Sequence, residues 1–196
     1  MNGGNSMEIL KEISGRRSWR ALSEAALPEG AARRIVQAGI LAPSCYNNQP
    51  WRITAAEGET LLSLKDTLSE GNAWATRAPL IIAVAVRECD DCRLEDGREY
   101  ALFDAGLCAM NMITQATAES LVAHPIAGYN PKKAKAALGL PKDLVLIALI
   151  VVAHRGDPNS ADGGLLKEWQ KESETSPRKR KPEEEVAAFG RWSELS

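Results

Sequence analysis

Ala42-Pro43-Ser44-Cys45-Tyr46-Asn47-Asn48-Gln49-Pro50-Trp51 lies between a segment with helical spacing and a segment with strand character. Two prolines restrict the backbone on either side of a run of hydrogen-bonding side chains, which pre-orders the loop. A loop of this kind is either a well-capped surface turn or a holder for a flat ligand with polar edges. Two other stretches bear on that choice: Arg16-Arg17-Ser18-Trp19-Arg20 upstream and Pro125-Ile126-Ala127-Gly128-Tyr129 far downstream.

Upstream of the loop, residues 28 to 41 open with Pro28 and Glu29. They carry Ala32, Ile35, Val36, Gly39 and Ile40 on one face, which predicts an amphipathic helix running into the loop. Before it, Met7 to Gly15 has helical spacing and stops at a glycine. The residues that follow are extended, so alternation sends Arg16, Ser18 and Arg20 to one side, where they can grip an anion.

Downstream, residues 52 to 56 read as a strand and residues 59 to 68 as a helix, with a break at Glu70-Gly71-Asn72. Residues 79 to 86 are continuously apolar, the pattern of a strand covered on both faces. Residues 99 to 122 predict the longest helix, with no charge between Asp104 and Glu119. A helix apolar around most of its circumference must be covered all round, by a second subunit or by the core of a monomer. A short helix over 131–138 and a second buried strand over 144–153 complete the ordered part.

At 196 residues, with a net charge of −2 and 26% charged residues, the chain has the size and balance of one globular domain. That composition argues against bulk nucleic-acid attraction and points to a small-molecule partner or a second copy of the chain. Cys45, Cys89, Cys92 and Cys108 are too few for a disulfide scaffold. Met1 to Ser6 has no apolar core, and no stretch approaches the length of a membrane span. The expectation is a reduced, cytoplasmic protein without membrane contact. It is expected to have a leader over 1–6, a domain over 7–154, and a polar extension over 155–196. In that extension Val186, Phe189 and Trp192 suit docking on a neighbouring surface.

Several chemistries are set aside. No glycine-rich phosphate loop is present, and His124 and His154 lack the spacing of a zinc or triad site. Cys89-Asp90-Asp91-Cys92 is a C-x-x-C, but a closed metal site needs two further ligands that the sequence does not offer nearby, so no metal is expected. What remains is cationic density at both ends of the chain. Arg16, Arg20, Arg178 and Arg180 can converge on a phosphate. Arg178 to Lys181 also reads as a solvated basic run or a weak nucleic-acid patch, although it lacks interleaved aromatics.

Residues 16–20 and 42–51 resemble the two opening signatures of the FMN-dependent nitroreductase family. The similarity continues in family order through Asn72, the long helix and residues 125–129, and ends at Arg178-Lys179-Arg180-Lys181-Pro182. The resemblance implies an α+β fold with a mixed, mostly antiparallel sheet between helices. It also implies an intertwined homodimer with two symmetric FMN sites. Carried over by position, Arg16, Arg17, Ser18 and Arg20 belong to the FMN site. Arg16, Ser18 and Arg20 hold the phosphate, the ribityl chain and the N1/O2 edge, and Arg178 and Arg180 complete the phosphate grip. Asn72 bonds the pyrimidine edge, while Pro43, Ser44, Cys45 and Asn47 reach in from the partner subunit. Pro125 leads to Ala127 and Gly128, whose N–H groups face N5 and O4.

The implied activity is electron transfer from NAD(P)H through FMN to an electron-poor acceptor, a nitroaromatic or quinone, in a ping-pong cycle. A non-catalytic flavin-binding or redox-sensing dimer is the alternative. Because the flavin carries the electrons, no side-chain nucleophile is required. Tyr46 and Trp74 are the candidates for stacking over the flavin. The sequence departs from the family at Ala127, often a glutamate there, and at Cys45, commonly a serine.

Overall fold

The computed structural model describes residues 9–192 of the chain, so the expected leader lies outside the described residues. In chain order the elements are α1 (Lys11–Ser14), β1 (Leu22–Ser23), α2 (Ala31–Ile40), β2 (Trp51–Ala56), α3 (Gly58–Lys65), β3 (Leu80–Val86), α4 (Ala101–Ala118), β4 (Leu121–Ile126), α5 (Pro131–Ala137), β5 (Val145–Arg155), α6 (Glu168–Thr175) and α7 (Glu183–Val186). It is an α+β fold with its sheet between helices, and every pairing among the described residues is antiparallel.

β5 is the spine of the sheet. Along one edge it pairs with β3, from Leu80 opposite Val152 to Val86 opposite Val145, and beyond that with β1. Its other edge takes β4, and β2 closes the far side of β3. All seven residues of β3 are buried, as a continuous apolar run requires when both faces are covered. Period-two alternation divides them. Ile81, Ala83 and Ala85 enter one core with Leu61, Leu64, Trp74 and Leu149. Leu80, Ile82, Val84 and Val86 enter the other with Ile35, Met112 and Ile150.

Helices α2 and α4 cover the second face and cross closely at Gly39. A β-carbon there would stand 2.7 Å from Met112 Cγ and 3.1 Å from Cys108 Sγ, so the crossing needs a residue without one. Burial also pushes the Cys108 thiol pKa up to about 12, leaving it an inert core group.

Several boundaries differ from the sequence expectation. The first helix is a single turn, Lys11–Ser14, with Ile9 and Leu10 outside it. The long helix ends at Ala118, not at residue 122, because Ser120 turns with φ +60° and the next six residues form β4. Pro125 is tolerated in that strand because β4 is an edge strand, where a missing N–H leaves no ladder partner unpaired. The break at residues 70–72 is the start of a 3-10 turn over Glu70–Arg77. The polar extension contains α6, which packs on its own chain: Gln170 and Glu174 are both 2% exposed. Val186, Phe189 and Trp192, farther along, remain exposed.

Candidate functional site

The segment 16–20 is extended, as its sequence predicts, and Arg16 Nη1 donates to Ser18 Oγ at 3.2 Å. Trp19 anchors the segment. Its ring is buried, its Nε1–H donates to the Gly156 carbonyl at 3.0 Å, and the Arg155 guanidinium lies 3.7 Å over its face. The Arg20 backbone N–H donates to Glu174 Oε2 at 2.9 Å, and Arg20 Nη1 donates to Ser173 Oγ at 3.0 Å and Glu174 Oε1 at 3.2 Å. Arg17 Nη2 donates to the carbonyls of Ser173 and Ser176, at 3.1 and 2.6 Å. The N-terminal segment is thus bolted to α6 and its exit.

That exit carries Arg178 back onto the same segment. Its Nη1 donates to the Arg16 carbonyl at 2.6 Å and its Nη2 to the Ser14 carbonyl. Burial, then the charges of Arg178 and Arg180, lower the Arg16 pKa. The result is a cleft of about 490 Å³ with Arg16, Ser18, Arg20, Arg178 and Arg180 in its wall. Arg20 is paired with Glu174, whereas Arg16, Arg178 and Arg180 form no ion pair among the described residues. Glu172 and Glu174 also line the cleft, but Glu174 is spent on Arg20, and the guanidinium groups outnumber the carboxylates, which suits a phosphate. A larger groove of about 910 Å³ runs along α2, but its wall is mainly apolar and its one guanidinium, from Arg33, has no partner cation.

A second group of expected residues meets at the end of β4. Asn72 Nδ2 and Ser69 Oγ both donate to the Gly128 carbonyl at 2.9 Å. A β-carbon at Gly128 would lie 2.5 Å from Asn72 Nδ2 and 2.6 Å from Ser69 Oγ, so any larger residue would displace these two side chains. Among the described residues neither Ala127 nor Gly128 donates its N–H to a backbone carbonyl. Pro125 is exposed on the adjoining edge. α6 links this junction to the arginine cleft, since Gln170 Nε2 donates to the Gly71 carbonyl at 3.1 Å.

The chain resembles known proteins along most of its length. Residues 13–73 and 68–154 match the Nitroreductase family. The chain belongs to the nitroreductase family. An uncharacterised 15.4 kDa protein of Mycolicibacterium smegmatis is 34% identical, covering 70% of this chain and 87% of that protein. The FMN reductase [NAD(P)H] of Bacillus subtilis strain 168 is 23% identical over 86% of this chain and 74% of its own length. Among solved structures, an oxidoreductase containing FMN superposes with a TM-score of 0.80 at 26% identity, covering 98% of this chain and 99% of that one. A nitroreductase family protein from Clostridium difficile 630 has the same fold, with a TM-score of 0.74 at 19% identity and coverage of 95% and 100%.

Within this nitroreductase fold the loop 42–51 is held far from relaxed. Tyr46, Asn47 and Gln49 have φ of +47°, +57° and +51°, a region that residues with a β-carbon seldom adopt. The Cys45 N–H donates to Asp104 Oδ2 at 2.7 Å, and the Gln49 N–H donates to Ser44 Oγ at 3.0 Å. Neither these residues nor Pro43 lines the arginine cleft of their own chain. Tyr46 is 88% exposed.

Trp74 requires a correction. It is 1% exposed, stacked on His124 with ring centroids 4.7 Å apart, and belongs to the core and not to a substrate pocket. Cys89 and Cys92 also differ from their sequence reading: Cys92 Sγ lies with Cys45 Sγ and an Asp91 oxygen, and Cys89 is not among them. The neighbouring Cys45 thiol, then burial, push the Cys92 pKa up to about 11. Two site residues escaped the sequence reading, Trp169 and Glu174. Both lie in a polar stretch, and Trp169, 57% exposed and 5.6 Å from the Arg20 guanidinium, is the aromatic that the cleft presents. Its hydrophobicity within that stretch was the available signal.

Among the described residues, no helix is long and apolar enough to cross a membrane.

Proposed function

We propose that this nitroreductase-family enzyme transfers electrons from NAD(P)H through FMN to an electron-poor small molecule of nitroaromatic or quinone type, in a ping-pong cycle. The observation that carries the reading is the meeting of Arg16 and Arg178, 162 residues apart, at the wall of one cationic cleft. The enzyme class and its two cofactors agree with the FMN- and NAD(P)H-named relatives. Bound FMN supplies an acceptor for hydride and a donor of electrons to the second substrate.

The chain's own groups fit that cofactor. Arg16, Arg178 and Arg180 hold its phosphate with charge-assisted hydrogen bonds, each worth about 1.5 to 3 kcal/mol. Arg17 acts one step back, fixing the α6 exit through the Ser173 and Ser176 carbonyls. Ser18 meets the ribityl hydroxyls. Arg20, oriented by Glu174 and Ser173, places positive charge beside the N1/O2 edge, where anionic charge develops on reduction. Asn72, locked by Gly128, offers its remaining amide capacity to the pyrimidine edge. The Ala127 and Gly128 N–H groups serve N5 and O4. A backbone donor does not depend on the side chain at residue 127, so alanine suffices there.

The reading includes a homodimer with the same sites at each seam. On one chain, Pro43, Ser44, Cys45, Tyr46 and Asn47 lie away from the arginine cleft, and a second copy brings them to it. Leu102, Phe103 and Met110 on α4 are exposed, leaving an apolar face for that copy to cover. The extension over 155–196 completes the site through α6, Arg178 and Arg180. With Val186, Phe189 and Trp192 it embraces the partner. The acceptor then enters beside Tyr46 and Trp169.

Anaerobic stopped-flow mixing of the yellow protein with NADH and with NADPH tests the activity. Rapid bleaching by either, followed by recovery of colour on adding a quinone or nitroaromatic, and parallel double-reciprocal plots, are the expected results. Flavin that stays oxidised with both nicotinamides overturns the enzymatic reading and leaves a binding protein.

A further inference from the structure

We propose that Cys45, Cys92 and Asp91 form a binding site for a thiophilic divalent cation of the Zn2+ type, with water in the fourth position. The two sulfurs and an Asp91 oxygen all lie within 4.8 Å of one another. Ligands at about 2.3 Å (sulfur) and 2.0–2.2 Å (oxygen) around a tetrahedral zinc stand roughly 3.5 to 3.8 Å apart, inside that limit, so small rotamer adjustments suffice. Two thiols and a carboxylate are the donor set that favours zinc over magnesium or calcium.

The surroundings are built to hold these groups. Asn48 Nδ2 donates to Asp91 Oδ1 at 3.2 Å and to Cys92 Sγ at 3.3 Å, orienting two ligands at once. Cys45 is fixed through its backbone, whose N–H donates to Asp104 Oδ2. Asp104 is itself 1% exposed, and its carboxyl is within hydrogen-bonding reach of Asp91. The other oxygen of Asp91, Oδ2, is shielded from solvent and has no hydrogen-bond partner. An orphaned carboxylate oxygen is costly, and a cation is the partner that would satisfy it.

Among the described residues no cationic side chain does so. Among the described residues neither Asp91 nor Asp104 forms an ion pair, and the guanidinium groups nearby in sequence are engaged elsewhere. Arg52 and Arg87 are on Asp90, and Arg93 is on Glu99. A cleft of about 550 Å³, walled in part by Asp91 and Cys92, provides the way in. Cys89 lines the same cleft but belongs to Asp90, 3.9 Å away. The operative thiol pair is therefore Cys45 with Cys92, drawn from two segments far apart in sequence, and not the C-x-x-C. A cation there would clamp the loop 42–51 to the turn before α4. The assignment stands on these ligands alone and does not require the flavin reading.

Anaerobic titration of the reduced full-length protein with Co2+, followed by Zn2+, tests the site. Uptake of one Co2+ per chain is expected, with a thiolate charge-transfer band, tetrahedral bands in the red where oxidised flavin does not absorb, and displacement by Zn2+. Cys92→Ser and Asp91→Asn should each weaken Co2+ binding at least tenfold, while Cys89→Ser leaves it unchanged and circular dichroism shows all three folded. The assignment is overturned by wild-type protein that gives no thiolate band, or by a folded Asp91→Asn variant that binds as wild type does. It is also overturned if Cys89→Ser loses the metal, or if peptide mapping finds a Cys45–Cys92 disulfide in protein that takes up no Co2+ after reduction.

Discussion

Arg178 donates through Nη1 to the backbone carbonyl of Arg16 at 2.6 Å, joining positions 162 residues apart in the sequence. Two guanidinium groups are thereby held side by side, although they repel each other and Arg16 is partly buried. Keeping like charges together costs stability, and an anion bound between them offsets that cost.

Arg178→Ala and Arg16→Ala should each weaken FMN binding by roughly 10- to 100-fold, the loss of one charge-assisted contact of about 1.5 to 3 kcal/mol. Arg178→Lys should recover part of it, since an ammonium keeps the charge and loses the planar fork. Quenching of FMN fluorescence on titration with apoprotein reads these values directly.

Gly128→Ala should separate flavin binding from folding. Its β-carbon would meet the Asn72 amide at 2.5 Å and Ser69 Oγ at 2.6 Å, so the side chains that fix the junction must move. An overpacking cost of about 1 to 3 kcal/mol is expected, with at least a tenfold loss of FMN affinity. Thermal melts and FMN titration of the same sample distinguish the two effects.

Glu174 has no exposed side-chain surface and accepts from both the Arg20 backbone and its guanidinium. Removing the carboxylate strands a partly buried cation and an N–H group. Glu174→Ala should therefore destabilise the fold by about 3 kcal/mol or more, measurable by urea denaturation, and should loosen α6 in hydrogen exchange.

His124 stacks on Trp74, and one ring nitrogen, Nδ1, lies 3.2 Å from the Trp19 carbonyl. Burial, with smaller contributions from the Arg20 and Arg16 charges, depresses its pKa to about 4 against the opposing bond to Trp19. Its unfolded value is about 6.5, so above that pH the ring is neutral in both states. As pH falls from about 6.5 to 4 the unfolded chain takes up a proton that the folded chain refuses. Stability then drops by up to about 1.4 kcal/mol per pH unit. His124→Gln should remove that slope; urea midpoints at pH 7, 5.5 and 4.5 check it.

Much of this structure was legible in the sequence where one physical signal dominates. The unbroken apolar run of β3 could only be a strand with both faces covered, and Gly39 and Ile35 mark the face of α2 that packs. The signal failed where two effects compete. Residues 121–126 continue the apolar pattern of α4, and only the turn at Ser120 separates strand from helix. α6 has no apolar stripe: it is held by buried Gln170 and Glu174, polar residues whose partners at Gly71 and Arg20 are about 100 and 154 positions away. The same limit applies to Trp74 and to Cys45 with Cys92, because burial and proximity across the fold are tertiary facts.

The most direct test compares FMN with riboflavin, which lacks only the phosphate. The account predicts that wild-type protein binds FMN at least 100-fold more tightly than riboflavin, and that Arg16→Ala/Arg178→Ala erases most of the difference while riboflavin affinity stays nearly constant. Equal affinities of wild-type protein for the two flavins, or a difference that survives removal of both arginines, would contradict it.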